Sequence, residues 1–347
     1  TVTGFPNLCR YATGCAIEIS RLVAMPRDYS LPDDARRNTK YAAFEGVAQD
    51  ANGVRVEVHH LHAQDSFRRA GTGANASEVV IHDVTCDGGF ANVLSSAKAT
   101  RAVLYSVRNL TRCFANAAIS SAHSSVSIYD AENVTAASCI RWGTAAVNAS
   151  IVIENVRQVH QASFFSLLFG AREGGSSLVI RDVSDVTTGS FLSGFGASVD
   201  ANVSISGVRL VSSSFNNPST YSQAEHAVLC AALQSELSAA ECLGLLLSAQ
   251  QMPASGAAFD ISGVSDVSRS FTNFGKGYID SQISVENVAG SSDGAFDDLG
   301  HSSGYAAICT TNFLDSKKYS QMTMLLVEFS TCQVAGPTTV DIRSVSG

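Results

Sequence analysis

The sequence predicts an all-β chain that winds into a single-stranded parallel β-helix of about ten or eleven coils, two of them enlarged by insertions. Three observations lead to this fold. An apolar-x-apolar motif recurs ten times, a turn-forming residue follows it at a fixed distance, and an aromatic residue closes most units. Residues 178–191, Leu-Val-Ile-Arg-Asp-Val-Ser-Asp-Val-Thr-Thr-Gly-Ser-Phe, show the complete unit.

The second apolar residue of each motif, which we call the anchor, is aliphatic in all ten units. Consecutive anchors are 23 to 27 residues apart, except for two intervals of 56 and 57. The residue two positions before each anchor is also apolar, so one face of a short strand is buried. The anchors are Val58, Ile81, Leu104, Ile128, Ile153, Ile180, Ile205, Ile261, Val285 and Ile342.

Two residues after each anchor, the sequence places a corner. Most residues at this position tolerate a left-handed backbone, and they are His60, Asp83, Ser106, Asp130, Asn155, Asp182, Gly207, Gly263, Asn287 and Ser344. An apolar residue follows each corner and begins a second short strand. The aromatic positions then predict a ladder of Phe67, Phe90, Phe114, Phe164, Phe191, Phe215, Phe271 and Phe296, with Cys139 occupying the same position once.

Two other folds compete with the solenoid. A βαβ array needs a helix of ten or more residues in each unit, and spacers such as residues 170–177 are too short and too rich in Gly and Ser. An antiparallel sandwich stays open as an alternative, because regular short strands also describe sandwiches.

Three regions follow in order along the chain. Residues 1–51 fit the repeat poorly and predict an N-terminal cap or an irregular first coil, with a candidate strand at residues 16–19. Residues 52–215 are the regular coils. Residues 216–347 contain two related insertions, at about 216–255 and 297–337, and finish in an uncapped coil.

That last coil predicts an assembly edge. Val340, Ile342 and Val345 begin a new unit at the end of the sequence, which would leave an open template for another strand. We therefore expect either a longer array or a neighbouring copy to cover it.

Nine cysteines, with no Cys-x-x-Cys motif, indicate disulfides in an oxidising compartment and a secreted or cell-surface location. Nearness in sequence or in the stack predicts the bridges Cys9–Cys15, Cys230–Cys242, Cys309–Cys332 and Cys113–Cys139, which leaves Cys86 over. The alternative is that several cysteines are simply small buried apolar residues.

Five Asn-x-Ser/Thr sequons predict N-glycosylation, at Asn75, Asn148, Asn202, Asn109 and Asn133. Asn75, Asn148 and Asn202 come directly before an apolar-x-apolar strand, where we expect a glycan to project into solvent.

Charge and hydropathy exclude two classes of partner. The net charge is −8 and only 16% of residues are charged, so the chain has no basic surface for nucleic acid. No apolar run reaches 18 residues, and we expect no membrane span in this segment.

Motifs for catalysis, cofactors and metals are missing from the sequence, so we expect a protein that is not an enzyme. Asp83, Asp130 and Asp182 lie at corners, where backbone tolerance explains them. His59, His60 and His62 form the one histidine cluster, but they alternate between faces of a strand and its corner, so we expect no metal ligands.

The pattern Val-x-Ile-x-Asp-Val-x-x-Val-x-x-x-Ser-Phe, repeated over about residues 52–347, resembles extracellular right-handed β-helix repeat proteins. The same pattern also resembles the large dispersed-gene-family surface proteins of trypanosomatid protists. The resemblance implies an extracellular, glycosylated surface role and transfers no catalytic residue.

The leading functional hypothesis is a structural protein, a protomer that joins copies of itself through its solenoid ends into a surface filament or coat. The alternative is an adhesin that binds glycans or other surface proteins on the side of its enlarged coils. A carbohydrate-cleaving enzyme ranks third, and it requires two carboxylates within about 10 Å in an exposed groove.

Overall fold

The computed structural model describes residues 7–20, 44–64, 67–135, 138–165, 167–171, 175–187, 189–191, 199–216, 256–271, 282–291, 295 and 307–315. Within these ranges every regular element is a β-strand and every strand pairing is parallel. The predicted class, an all-β parallel solenoid, is therefore confirmed.

The described residues contain sixteen strands. They are β1 (Ala16–Ser20), β2 (Arg55–His59), β3 (His62–Gln64), β4 (Glu78–His82), β5 (Thr85–Asp87), β6 (Arg101–Tyr105), β7 (Arg108–Thr111), β8 (Ser125–Thr135), β9 (Ser150–Val159), β10 (Ser177–Val186), β11 (Asn202–Ser206), β12 (Arg209–Ser212), β13 (Ala258–Ser262), β14 (Ser265–Ser268), β15 (Gln282–Ser291) and β16 (Ala307–Asp315).

The first ladder stacks one strand from each coil in the order β1-β2-β4-β6-β8-β9-β10-β11-β13-β15, and β16 pairs with β15. Its register places the predicted anchors opposite one another, for example Val58 opposite Ile81 and Ile180 opposite Ile205. The nine anchors from Val58 to Val285 are buried, and each contributes its side chain to one continuous core. The tenth, Ile342, lies outside the described residues.

The second ladder runs beside the first, from β3 through β5 and β7 into the second halves of β8, β9 and β10, and on to β12 and β14. About seven turns are described nearly throughout, against the ten or eleven coils predicted, and the first ladder extends beyond them to eleven strands. Long stretches between the remaining strands, such as 21–43 and 217–255, are not among them.

The corner between the two ladders has the predicted backbone. The nine described corner residues have φ between 50° and 62°, the left-handed region, from His60 at 50° to Gly207 at 62°. A β-strand cannot bend sharply inside its own conformation, so this single residue per coil turns the chain from one ladder to the next.

The aromatic ladder is also confirmed and is longer than predicted. Phe44 stacks on Phe67 at 4.7 Å between ring centroids, which adds a member before the first predicted one. Successive rings continue with centroids 4.7–4.8 Å apart and planes within 12° of parallel, in the pairs Phe67–Phe90, Phe90–Phe114, Phe164–Phe191, Phe191–Phe215 and Phe215–Phe271. Phe296 lies outside the described residues.

Cys139 interrupts this ladder, and Trp142 fills the space. The indole lies edge-on to Phe164, with ring centroids 6.0 Å apart, and its Nε1 donates a hydrogen bond to the Phe114 carbonyl oxygen at 2.6 Å. Both Cys139 and Trp142 are fully buried. The small residue in the ladder and the large one three positions later therefore compensate for each other in volume.

The third side of the solenoid has a backbone that strand patterns did not predict. From Phe90, every second residue is left-handed: Phe90, Asn92, Leu94 and Ser96 have φ of 56°, 59°, 55° and 54°. The N–H groups of Asn92 and Ser96 donate to the next coil, and that of Leu94 donates to the preceding coil. Alternating handedness thus lets a non-strand segment bond to both neighbours.

The structure confirms the prediction at one end of the described stack and corrects it at the other. β1 confirms the candidate strand predicted at residues 16–19, and it pairs in register with β2. At the other end, the interval of 57 residues predicted Ile342 as the next partner of Val285. The structure instead pairs Val285 with Thr310 of β16, inside the predicted insertion 297–337, because a strand at ordinary spacing satisfies the edge of β15. The first long interval is as predicted, with Ile205 opposite Ile261.

One of the two testable disulfide predictions is wrong. Cys9–Cys15 is present, but Cys113 bonds to Cys86 and Cys139 is free. Cys139 occupies the phenylalanine position of its coil, whereas Cys113 occupies the position before it, so the two side chains are out of step by one residue. Cys230, Cys242 and Cys332 lie outside the described residues, as does the side chain of Cys309.

In the part of the chain that the structure describes, no helix is long and apolar enough to cross a membrane.

Candidate binding groove

The outer face of the first ladder carries a row of stacked rings. The residue after each of the nine described anchors points outward, and His59, His82, Tyr105 and Tyr129 follow one another on consecutive coils. Their centroids are 4.8, 4.9 and 5.3 Å apart, with interplanar angles of 16° or less. We call these four side chains the outer aromatic row. All four are half-buried, so one edge of each ring reaches solvent.

A groove begins where this row ends. It has a volume of about 560 Å³ and lies along the corner between the two ladders, on the outside of the solenoid. Four coils line it, and the lining residues are Tyr129, Asp130, Glu154, Asn155, Arg157, Asp182, Ser184, Gly207 and Arg209. Tyr129 belongs to both features, because it is the last member of the outer aromatic row and also lines the groove.

The repeat explains why these groups meet. Glu154 follows an anchor, Asp182 is a corner residue, and Arg209 begins a second strand. Such positions recur about every 25 residues and stack roughly 4.8 Å apart, so distant residues become neighbours. The groove is thus formed by residues that are far apart in sequence and that occupy outward-facing positions on four successive coils.

Charges of both signs face the groove. Glu154 forms an ion pair with Arg181, with 2.9 Å between Oε2 and Nη2. Asp130 accepts a short hydrogen bond from the Asn155 amide. Arg157 and Arg209 are exposed and have no ion pair among the described residues. Two guanidinium groups are therefore available to a ligand, beside the engaged carboxylates of Asp130 and Glu154.

Gly207 occupies the corner position of its coil. Because glycine has no side chain, it leaves space at this end of the groove. Gly207 has φ 62°, and a Cβ built there would be 2.4 Å from Oδ1 of Asp182. The next coil also has glycine, Gly263, at this position. At that end the groove is therefore lined by backbone. Along the row of corner positions, Asp182 is the last residue that contributes a side chain to the groove.

The histidines are arranged differently from the prediction. Within one coil they do alternate, since His60 is at the corner and His59 on the strand. Across coils, however, His59 stacks on His82, which the sequence reading had not grouped with it. Glu57 joins them, with its Oε1 3.0 Å from Nε2 of His59. Partial burial raises the pKa of Glu57, but the hydrogen bonds and charges of Arg55 and His59 outweigh it and lower the pKa below its ordinary value.

The five sequon asparagines all reach solvent. Asn75, Asn109, Asn148 and Asn202 are exposed and Asn133 is half-buried. Asn109 and Asn133 are stacked on neighbouring coils, where Nδ2 of Asn133 donates to Oδ1 of Asn109 at 2.7 Å. The predicted assembly edge, Val340, Ile342 and Val345, lies outside the described residues.

The sequence does contain a signal for the outer aromatic row and the start of the groove, at the position directly after each anchor. Aligning the residue after each anchor gives His59, His82, Tyr105, Tyr129, Glu154 and Arg181, which is the outer row in order. Residues at the inward positions are alike from coil to coil, so the repeat reveals them. Residues at the outward positions differ in chemistry, so the sequence does not distinguish them from other surface residues.

No protein-family model matches the chain, and no curated protein or solved structure matches it either.

Proposed function

We propose that the chain is an extracellular surface protein that binds glycans along the outer face of its solenoid. The observation that carries the proposal is the junction at Tyr129, where stacked rings meet a groove of carboxylate, amide and guanidinium groups. A sugar presents apolar C–H faces between hydroxyl groups, so it can pack against the Tyr129 ring, which ends the row and lines the groove, while its hydroxyls reach the hydrogen-bonding groups beside it.

The location rests on separate observations. Two disulfides in the described residues favour an oxidising compartment. The five sequon asparagines at the surface would carry glycans there. The resemblance of the repeat to dispersed-gene-family surface proteins of trypanosomatid protists agrees with the same location.

We favour binding over cleavage, so the protein is not an enzyme in this proposal. A glycosidase needs one carboxyl group that delivers a proton and another that acts as base or nucleophile. Asp130 and Glu154 are instead engaged by Asn155 and Arg181. The carboxylates are therefore suited to accepting hydrogen bonds from sugar hydroxyls.

A glycan array with the purified chain tests this function. Hits are followed with Tyr129→Ala and Arg157→Ala, and each is expected to weaken binding by about tenfold to a hundredfold, the range for losing a charged hydrogen bond or a stacked ring. Arg108→Ala is the matched control, because Arg108 occupies the same outward row two coils earlier, outside the groove. An array without hits, or equal losses in the control, would refute the proposal. Release of new reducing ends from a bound glycan would show that the chain hydrolyses it, and would refute a function limited to binding.

Assembly through the solenoid ends is the second candidate function, with other copies of the chain as partners. One observation favours it: among the described strands, β1 pairs with β2 alone, although its register is that of every inner strand. Ile17 and Ile19 of this strand are only half-buried. Ile17→Lys is expected to abolish filaments seen by electron microscopy of the oxidised protein, and monodisperse wild-type monomers would exclude the assembly.

A further inference from the structure

We propose that Glu57, His59 and His82 bind a divalent transition-metal ion, with zinc as the ion of choice, at the start of the outer aromatic row. The three residues each offer one ligand atom, and these atoms all lie within 4.8 Å of one another. The site is separate from the glycan groove, and the proposal does not depend on the proposed function.

The strand geometry brings the three ligands to one face. Glu57 and His59 are two residues apart on β2, so their side chains project from the same side of the strand. His82 is the in-register neighbour of His59 on β4. A Glu-x-His sequence on one coil and a histidine on the next therefore present an oxygen and two nitrogens together.

The distances suit a tetrahedral ion after a small side-chain movement. Zinc bonds of 2.0–2.2 Å place neighbouring ligands about 3.3 Å apart. Oε1 of Glu57 is already 3.0 Å from Nε2 of His59. The His59 and His82 rings are parallel, with centroids 4.8 Å apart, so one ring must rotate to aim its nitrogen at the ion. Rotation about χ2 of histidine is soft.

Arg55 orients the carboxylate ligand. Its Nε and Nη2 atoms both donate to Oε2 of Glu57 at 3.3 Å, which leaves Oε1 facing His59. Nη1 of Arg55 is meanwhile held by Glu78 at 3.0 Å. Fixing of a ligand by a neighbouring hydrogen bond is typical of metal sites. His59 and Glu57 are 24% and 28% exposed, so an ion and a coordinating water can reach them.

Isothermal titration of the metal-free full chain with zinc chloride tests the site. His82→Gln and Glu57→Gln keep side-chain size and lie on the half-exposed outer face, so both are expected to fold as wild type by circular dichroism. Each is expected to weaken zinc binding by more than about a hundredfold, which is beyond the effect of removing an outer-shell partner. His123→Gln is the control, because His123 is exposed on another row.

Cobalt gives a second measurement that reports geometry. Wild type with Co²⁺ is expected to show the visible absorption of a tetrahedral complex, and His82→Gln is expected to lose it. Zinc affinity that is the same in wild type and in both ligand variants would overturn the proposal, as would a wild-type chain that takes up neither ion. Loss of zinc in His123→Gln alone would place the site elsewhere and overturn it too.

Discussion

At the scale of single residues, the phenylalanine ladder combines a large buried ring with a left-handed backbone. Phe90 has φ 56°, a conformation that costs a bulky L-residue about 1–2 kcal/mol. Its ring is completely buried between Phe67 and Phe114. Burial of a phenylalanine side chain contributes about 1.5–3 kcal/mol, and ring pairs add about 0.5–1.5 kcal/mol each. Packing therefore outweighs the backbone cost.

Phe90→Ala is accordingly expected to lower the free energy of unfolding by about 3–5 kcal/mol, because the methyl group leaves a cavity between two rings. Phe90→Leu keeps most of the apolar volume and is expected to lose less. Urea unfolding followed by circular dichroism measures both. Equal stability of wild type and Phe90→Ala would contradict the stacked ladder.

Cys139 is a second residue with a testable state. Its thiol is buried, and desolvation by burial raises its pKa well above the ordinary value. Iodoacetamide at pH 8 is therefore expected to leave Cys139 unmodified in the native chain and to alkylate it in urea, as measured by peptide mass spectrometry. The same map is expected to contain a peptide linked through Cys86 and Cys113. A native alkylation of Cys139, or a Cys113–Cys139 link, would contradict the structure.

The raised pKa of Cys139 also predicts how the free energy of unfolding changes with pH. A group whose pKa is higher in the folded than in the unfolded state contributes stability that is fully present below the unfolded pKa and is lost as pH rises through the folded pKa. For a thiol the loss begins at about pH 8.5, the pKa of the unfolded state. Cys139→Ala is expected to remove this part of the alkaline decrease, and unfolding free energies at pH 7 and pH 10 measure it. An unchanged difference between the two pH values would show that Cys139 does not contribute.

At the scale of elements, the left-handed corner determines where one strand ends and the next begins. Ser106 is the corner of its coil with φ 52°, and its N–H donates to the Tyr129 carbonyl oxygen. Ser106→Gly is expected to raise the free energy of unfolding by about 0.5–1 kcal/mol, because glycine adopts this φ without strain. Ser106→Val is expected to lower it by about 1–2 kcal/mol, since a branched side chain is poorly tolerated there. Thermal unfolding of the pair checks the sign, and the reverse order would contradict the corner.

Stacked elements also restrict modification. Asn109 and Asn133 lie on adjacent coils, about 4.8 Å apart, and their amides are hydrogen-bonded. Two glycans do not fit at that spacing, so a chain that keeps only these two sequons is expected to carry at most one glycan. Intact-mass measurement after expression in a eukaryotic host tests this. Asn109→Gln is expected to leave Asn133 open to modification, and a doubly glycosylated chain would contradict the stacking.

At the scale of the whole molecule, the inward positions made the fold predictable. Anchors such as Ile153, corners such as Asp182 and rings such as Phe191 repeat because each must match its neighbours in the stack. The alternating backbone that follows Phe90 was not predictable, because Leu94 and Ser96 have no chemical preference for positive φ. The Cys86–Cys113 bridge was missed because a shift of one residue in register decides which cysteines meet.

The groove was only partly predictable for the same reason. Its residues were each visible, and Asp130 and Asp182 were recognised as corner residues. Their convergence with Arg157 and Arg209 follows from the register between coils. Outward residues need not match their neighbours, so no repeat reveals them, and the proposed glycan binding depends on those variable rows.

In the proposed function, four successive coils form one continuous glycan-binding groove, and the dependence of affinity on ligand length tests this continuity. For a glycan that binds on the array, titration calorimetry with oligosaccharides of increasing length is expected to show affinity rising until the ligand spans the coils from Tyr129 to Arg209, and then no further. Arg209→Ala is expected to remove the gain from the longest ligands alone. Affinity that does not depend on length, in wild type and variant alike, would contradict a groove that runs along the stack.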